Sequence, residues 1–327
     1  MADPRRPKTR DAGSPLRLYL SHDGAVDDFL ALAVAAVTPE VELVGVQLID
    51  GDCVAEHAWD LQARLLDLLG KSDVPTSLSR ARPFNPFPWS YRTDCLRLAA
   101  APPLAERRVD VAPPPWPDGE QAFQSALEAA AEPLTVLATG PLTPIQMALE
   151  SRPELAGRIE RLVWMGGAVD AAGNLEPATL PGLPLNCRAE WNAFWDPFAV
   201  DWVFRHTDFP LVIVPLDAVD AARLDPEFLS ELERQGKTHP LSQVAWTGYA
   251  AVLDQPLYRL WDVSTAVWLL EPTLFGPPRP ERLGVTLYGP QQGGLVRDPE
   301  GREAWVVPGF RPGGVEDLYR RLLTTWR

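Results

Sequence analysis

A chain of 327 residues, 46% hydrophobic and 23% charged, has the composition of a globular protein and the length to bury a large core. Its net charge of −14 argues against nucleic acid as a partner, because phosphate binding draws on a positive surface; an uncharged nucleoside stays admissible. No apolar run reaches the length of a membrane span or a signal peptide, and the widely spaced Cys53, Cys95 and Cys187 fit a reducing cytoplasm better than a disulfide framework.

Residues 1–15 are basic and Pro-rich and read as a disordered tail, with residues 16–327 as one α/β domain. Leu16 to Leu20 has a strand's composition. Asp27 then opens a helical pattern, Phe29-Leu30-Leu32-Ala33-Val37, with one apolar face. Val41 to Leu48 reads as the next strand and Ala55 to Leu69 as the next helix. This alternation predicts parallel pairing with right-handed crossovers, hence an open, mostly parallel, Rossmann-like sheet with helices on both faces. Leu134 to Ala138, Leu162 to Met165 and Leu211 to Pro215 extend the strand series. Helices are expected over Pro144 to Ser151, Pro197 to Arg205 and Pro226 to Gln235, the last capped by Asp225. Leu283 to Tyr288 and Ala304 to Val307 read as a late strand pair, and Val315 to Thr325 as a closing helix. Between 82 and 118 the pattern breaks into a Pro-rich loop, and its Trp89, Tyr91 and Trp116 argue against plain disorder.

The segment LYLSHDGAVDDFLAL sets Asp23, Asp27 and Asp28 in the turn after the first strand, where open α/β sheets bind ligands. Helix capping alone would account for Asp27 and Asp28 but not for Asp23. Three converging acids repel one another unless a cation holds them, and hard oxygen donors select Ca²⁺ or Mg²⁺ over zinc.

SHDGAVDDF is followed in order by IDGDC (49–53), LATGPLTP (137–144), WMGGAVD (164–170), AEWNAFWDP (189–197) and LWDVSTAV (260–267). Together these motifs closely resemble the nucleoside hydrolase family of N-ribohydrolases, over about residues 16 to 275. The HDG form of the first motif, the Asp-Cys of IDGDC, NPFP at 85–88 and Trp261 directly before Asp262 resemble its purine-specific, inosine–adenosine–guanosine branch. The inosine–uridine branch usually carries His at the Trp261 position and Asn at that of Asp52.

The resemblance implies Ca²⁺ held by Asp23, Asp28, Asp262 and the backbone carbonyl of Thr139. Asp23 would be the general base that takes a proton from a calcium-held water. Asp27 would grip the 2′-hydroxyl of the ribose and Asn192 the 3′-hydroxyl. Asn174 and Glu190 would take the 5′-hydroxyl, Met165 would pack under the sugar, and Asp52 would lie close to it. Trp261 would stack on the base and favour protonation at N7, with Tyr91 or Trp89 as the second face. The family implies a homodimer acting on purine ribonucleosides.

Some positions depart from the family. Ser21 replaces the first Asp of its DxDxxxDD signature, and Ala25 stands where the purine branch tends to have Asn. The segment LDQPLYRL shows no copy of the mobile base-covering loop, leaving Tyr258 and Arg259 to serve; the Pro-rich stretch around 100–117 is also unmatched. Ser21 and Ala25 keep open a non-catalytic ribose- or nucleoside-binding protein on the same fold, against which Asp23 speaks, since binding alone needs no base. An Asp-dependent phosphotransferase is disfavoured, because Asp23 is followed by Gly-Ala.

Overall fold

The computed structural model describes residues 15–109, 119–176 and 185–327. The expected tail and Trp116 therefore lie outside the described residues, apart from Pro15. Nine strands form one sheet: β1 (Leu16–His22), β2 (Val41–Ile49), β3 (Thr76–Ser79), β4 (Leu134–Ala138), β5 (Ile159–Met165), β6 (Leu211–Val214), β7 (Arg279–Val285), β8 (Leu295–Arg297) and β9 (Arg302–Val306). Their order is β3-β2-β1-β4-β5-β6-β9-β7-β8. Every pair from β3 to β9 is parallel, whereas β9–β7 and β7–β8 are antiparallel. The fold class is as the alternating pattern predicts. The late strand pair is present as β7 and β9, each starting a few residues earlier than expected, with the short β8 between them.

The helices are α1 (Val26–Val37), α2 (Ala55–Leu68), α3 (Asp94–Ala99), α4 (Pro102–Ala105), α5 (Gly119–Ala129), α6 (Thr143–Ser151), α7 (Trp191–Trp195), α8 (Pro197–His206), α9 (Leu216–Val219), α10 (Pro226–Gly236), α11 (Pro240–Ala251), α12 (Trp261–Leu270) and α13 (Gly314–Thr325). Asp225 caps α10 as expected, accepting from the amides of Glu227 (2.9 Å) and Phe228 (3.0 Å). The Pro-rich segment is less irregular than its composition suggests, since α3 and α4 lie within it.

The sheet separates two apolar layers. One packs α1, α2 and α10–α13 against one face; the other packs α5, α6 and α8 against the opposite face. With both faces covered, the central strands read as near-continuous apolar runs rather than alternating ones. β1 pairs with β2 on one side and β4 on the other. The chain runs outward through β3 and then returns to β4, so β1 and β4 flank the topological switch point, where parallel sheets leave a crevice beyond their carboxyl ends.

α1 is buried along almost its whole length, and only Val37 at its end is partly exposed. Its neighbour α11 carries Tyr249, fully buried beside Trp326, which closes the layer just beyond α13. Ser242 Oγ donates to the Trp326 carbonyl at 2.7 Å. Trp326→Ala should therefore destabilise the protein by about 3–5 kcal/mol, as for other buried aromatic truncations, and lower the melting temperature measured by calorimetry. An unchanged melting temperature would mean that the packing of Trp326 contributes little.

Candidate active site

The carboxyl ends of β1, β2, β4 and β5 lie side by side, and the residues that follow them converge. Asp23 follows β1, Asp52 follows β2, Thr139 follows β4, and Met165 ends β5. Gly24 turns the chain from β1 into α1 at φ +89°, a backbone that L side chains rarely adopt. A Cβ there would also lie 2.7 Å from Cβ of Cys53. Gly140 has the same need for space, because a Cβ on it would come within 3.0 Å of Cβ of Asp23. Backbone thus packs directly against the base of the carboxylate cluster.

Asp27 is the organising residue. Its Oδ2 accepts the amides of Asp262 (2.6 Å) and Val263 (3.0 Å), the first turn of α12. Its Oδ1 accepts the Tyr249 hydroxyl at 2.7 Å, and its own amide donates to the Tyr258 hydroxyl at 3.0 Å. The acid caps α12, a helix 235 residues away, rather than the helix that contains it. Burial raises its pKa to about 7, an effect that these hydrogen bonds partly offset. Neither Tyr249 nor this long-range cap is legible in local sequence.

Asp28 is held by the Ala25 amide on Oδ2 (2.8 Å) and by the Thr139 hydroxyl on Oδ1 (2.5 Å). Asp23 meets Asp28, and burial followed by the Asp28 charge drives its pKa well above the usual carboxylate range, with Asp52 and Asp262 adding to the effect. Burial, then Asp28 and Asp27, does the same to Asp262. Asp52 rises through burial, then through Asp94 and Asp28, although Arg92 opposes the shift. One of its oxygens is buried with no protein partner.

Such a concentration of acid fits a hard cation. Among the described residues no three His, Cys, Asp or Glu side chains close into a ready-made metal triad. The donors nevertheless suit calcium, since they are all oxygens and the charges acting most strongly on Asp23 and Asp262 are other carboxylates. His22 does not take part. Its Nε2 lies 2.7 Å from Oε1 of Gln62, and burial lowers its pKa.

Across the crevice, α7 supplies the neutral polar groups. Asn192 donates through Nδ2 to the carbonyls of Thr139 (3.1 Å) and Met165 (3.0 Å), so two acceptors fix the orientation of its amide and leave Oδ1 as its acceptor. Glu190 is the N-cap of α7, accepting from the amides of Gly167 (2.7 Å), Asn192 (2.8 Å) and Ala193 (3.2 Å). Burial raises its pKa to about 7 against those donors. Asn174 Oδ1 accepts the Trp191 amide at 3.1 Å. Asp217, missed in the sequence, accepts three amides of the 169–171 turn at 2.7–2.9 Å.

The aromatic candidates divide. Trp261 opens α12 half-buried, its indole N–H held by Asp220 Oδ1 at 3.0 Å. Asp220 was also missed in the sequence. The Tyr258 ring lies 5.5 Å from Trp261, but its hydroxyl is taken by the Asp27 amide, which makes it a brace for the acids. Arg259 folds back onto the carbonyls of Pro256 (3.0 Å) and Tyr258 (2.7 Å). Tyr91 sets its ring edge-on to Trp191 and donates to Glu176 at 2.9 Å. Trp89 is 70% exposed beneath the Arg92 guanidinium. The structure brings the carboxylates, Thr139, Met165 and Asn192 together at the crevice, with Glu190 and Asn174 on the α7 side; it does not bring Trp89 into that group.

Comparisons with known proteins agree with this geometry. The profile of the family described as inosine-uridine preferring nucleoside hydrolase matches residues 18–310. The non-specific ribonucleoside hydrolase RihC of Salmonella agona is 30% identical over 262 residues, 80% of either chain. The inosine-uridine preferring nucleoside hydrolase of Bacillus anthracis superposes with a TM-score of 0.84 at 32% identity, covering 95% of this chain and 99% of that one. A purine-preferring ribonucleoside hydrolase from Gardnerella vaginalis shares the fold, with a TM-score of 0.75 at 22% identity over 94% and 98% of the two chains. Matched by the family's profile over residues 18–310 and 30% identical to RihC over 80% of either chain, the chain belongs to the nucleoside hydrolase family.

Proposed function

We propose that the protein hydrolyses the N-glycosidic bond of purine ribonucleosides to free base and ribose, with calcium held by Asp23, Asp28, Asp262 and the Thr139 carbonyl. The observation that supports this most is the meeting of Asp23 with Asp28 beside Asp262, buried at the β1/β4 switch point, where each acid is acted on most strongly by other carboxylates. When bound, calcium would lower the pKa of a water and order the vicinal ribose hydroxyls, which its flexible, oxygen-rich coordination permits.

The chain's own groups do the rest. Asp23 takes the proton of the attacking water, as general base. Asn192 presents Oδ1 to the 3′-hydroxyl, and the Asp27 Oδ1 that already accepts from Tyr249 keeps a lone pair for the 2′-hydroxyl. Glu190 and Asn174 frame the 5′-hydroxyl, Met165 floors the sugar, and Asp52 adds a negative charge beside it. Carboxylates around the ring favour the oxocarbenium-like transition state of glycosyl transfer. Trp261, locked by Asp220, offers a fixed face for a purine, and Tyr91 is the better placed of the two candidates for the opposite face. A retained base makes a pure binding protein the weaker reading. A broader base range is the second reading, favoured by the 30% identity to an enzyme named non-specific.

Asp23→Asn should lower kcat for inosine by about a hundredfold or more and affect nucleoside binding far less. Wild-type turnover in that variant would remove Asp23 from the role of base.

Protons compete with calcium for Asp23 and Asp262, whose pKa values burial and neighbouring carboxylates raise well above the usual range. Asp27 and Glu190 sit near 7 in the folded protein and about 4 unfolded. Folded pKa values above unfolded ones mean that raising pH from about 4 to 7 costs stability when calcium is absent. The melting temperature in chelator should therefore fall over that range, while calcium affinity measured by calorimetry should rise. An affinity that does not change between pH 5 and pH 8 would contradict the site.

Inosine and guanosine should be cleaved with higher kcat/KM than uridine, and equal values would favour the broader reading. Trp261→Ala separates stacking from base activation. Lost stacking of about 0.5–1.5 kcal/mol accounts for no more than about tenfold. A larger loss on inosine than on p-nitrophenyl riboside, whose leaving group departs unprotonated, is expected. Equal losses would reduce Trp261 to a support for Asp262.

A further inference from the structure

Residues 82–92 carry Phe84, Phe87, Trp89 and Tyr91 between two arginines, and both arginines end on one carboxylate. Arg82 Nη1 pairs with Oδ2 of Asp50 and Arg92 Nη2 with Oδ1. The Asp50 side chain is 11% exposed, against 69% for Arg82. Arg92 also donates through Nε to the Cys53 carbonyl at 2.9 Å, so one guanidinium spans the Asp50–Cys53 turn that contains Asp52. Midway along the segment, the Asn85 amide donates to the Trp195 carbonyl (2.7 Å) and its side chain to the Phe194 carbonyl (2.6 Å) and Gln292 (3.0 Å). Phe87 packs on Trp195 at 3.9 Å between ring centroids. The same ring faces Gly51 so closely that a Cβ there would be 2.8 Å from Phe87 and 3.0 Å from Cβ of Asp23.

We infer that Asp50 is a positioning residue: holding Arg82 and Arg92 on its two oxygens, it closes residues 82–92 into a loop that walls the site and sets how tightly a nucleobase is held. The inference rests on the nucleoside hydrolase reading for its effect on substrate, but not for the clamp itself. A compact loop with joined ends and its own packed side chains is a stable surface unit. Charge-assisted pairs on a largely buried carboxylate are the stronger kind of ion pair. Removing the carboxylate leaves Arg92 partly buried without its partner, so the loop ends separate. Asn85 and Phe87 then remain as the tethers to α7.

Hydrogen exchange with mass spectrometry and steady-state kinetics on the full chain test this together. In Asp50→Asn, exchange of the 82–92 amides should quicken about tenfold or more while the rest of the chain is unchanged. KM for inosine should rise about tenfold with kcat within about threefold, and p-nitrophenyl riboside, which has no purine to wall in, should be affected less. Asp50→Glu, which keeps the charge, should restore most of the protection. Asp201→Asn, which removes the surface pair with Arg205, should change neither readout. Arg82→Gln releases one end of the loop from an exposed residue and supplies the exchange readout if Asp50→Asn does not fold. Unchanged protection of 82–92 would overturn the clamp, as would kcat and KM effects equal on both substrates. If the wild type cleaves no nucleoside, the functional reading fails and the exchange result still decides the clamp.

Discussion

The structure depends on one buried carboxylate that gathers donors from distant parts of the chain. Asp27 receives the first amides of α12 and the Tyr249 hydroxyl, while its own amide donates to Tyr258. Three elements from the last third of the chain are thereby bound to the first turn of α1. Asp28, next in sequence, and Asp262, whose amide Asp27 holds, are brought face to face as a result. A buried acid with a pKa near 7 is costly, and the helix-end donors offset that cost. The arrangement spends stability on placing like charges together, which is common at functional sites.

Much of this architecture was legible in the chain. Buried parallel strands such as LVIV of β6 are continuous apolar runs, and a Pro at the first helical position marks α10 clearly. Other parts were not. β3 is four residues, TSLS, with two serines and no apolar pattern, and it becomes a strand only because β2 offers it an edge. α3 and α4 hide in Pro-rich sequence, and α11 has too uniform an apolar surface to show a face. At the site, the motifs named the acids and Asn192, which the fold brings to one crevice. Tyr249, Asp217 and Asp220 carry no local signature, because their importance comes from which backbone amide or indole they meet across the fold. Arg259, named as a base contact, has its guanidinium on the nearby carbonyls of Pro256 and Tyr258.

The acids and the aromatic groups occupy different supports. The acids rise from strand ends and helix starts in the core, where glycines at 24 and 140 leave no room for side chains. The aromatic groups lie at the rim: Trp261 tied to Asp220, Tyr91 to Glu176, and Phe87 pressed between Trp195 and Gly51. Ser21 bears on the support instead. Its hydroxyl donates to Gln47 at 3.2 Å, which gives the central strand a neutral partner where the family has an acid.

The 235-residue separation between Asp27 and the helix that it caps also governs how the molecule comes into being. Contacts so remote in sequence carry a large loop-closure cost and form late. While α12 is still unmade, Asp27 lacks the donors that offset its burial, and Asp28 lacks Asp262 across from it. A nascent chain that has only β1 and α1 thus holds an incomplete acid cluster, and docking of the last third of the chain on α1 completes it as one of the last events of folding.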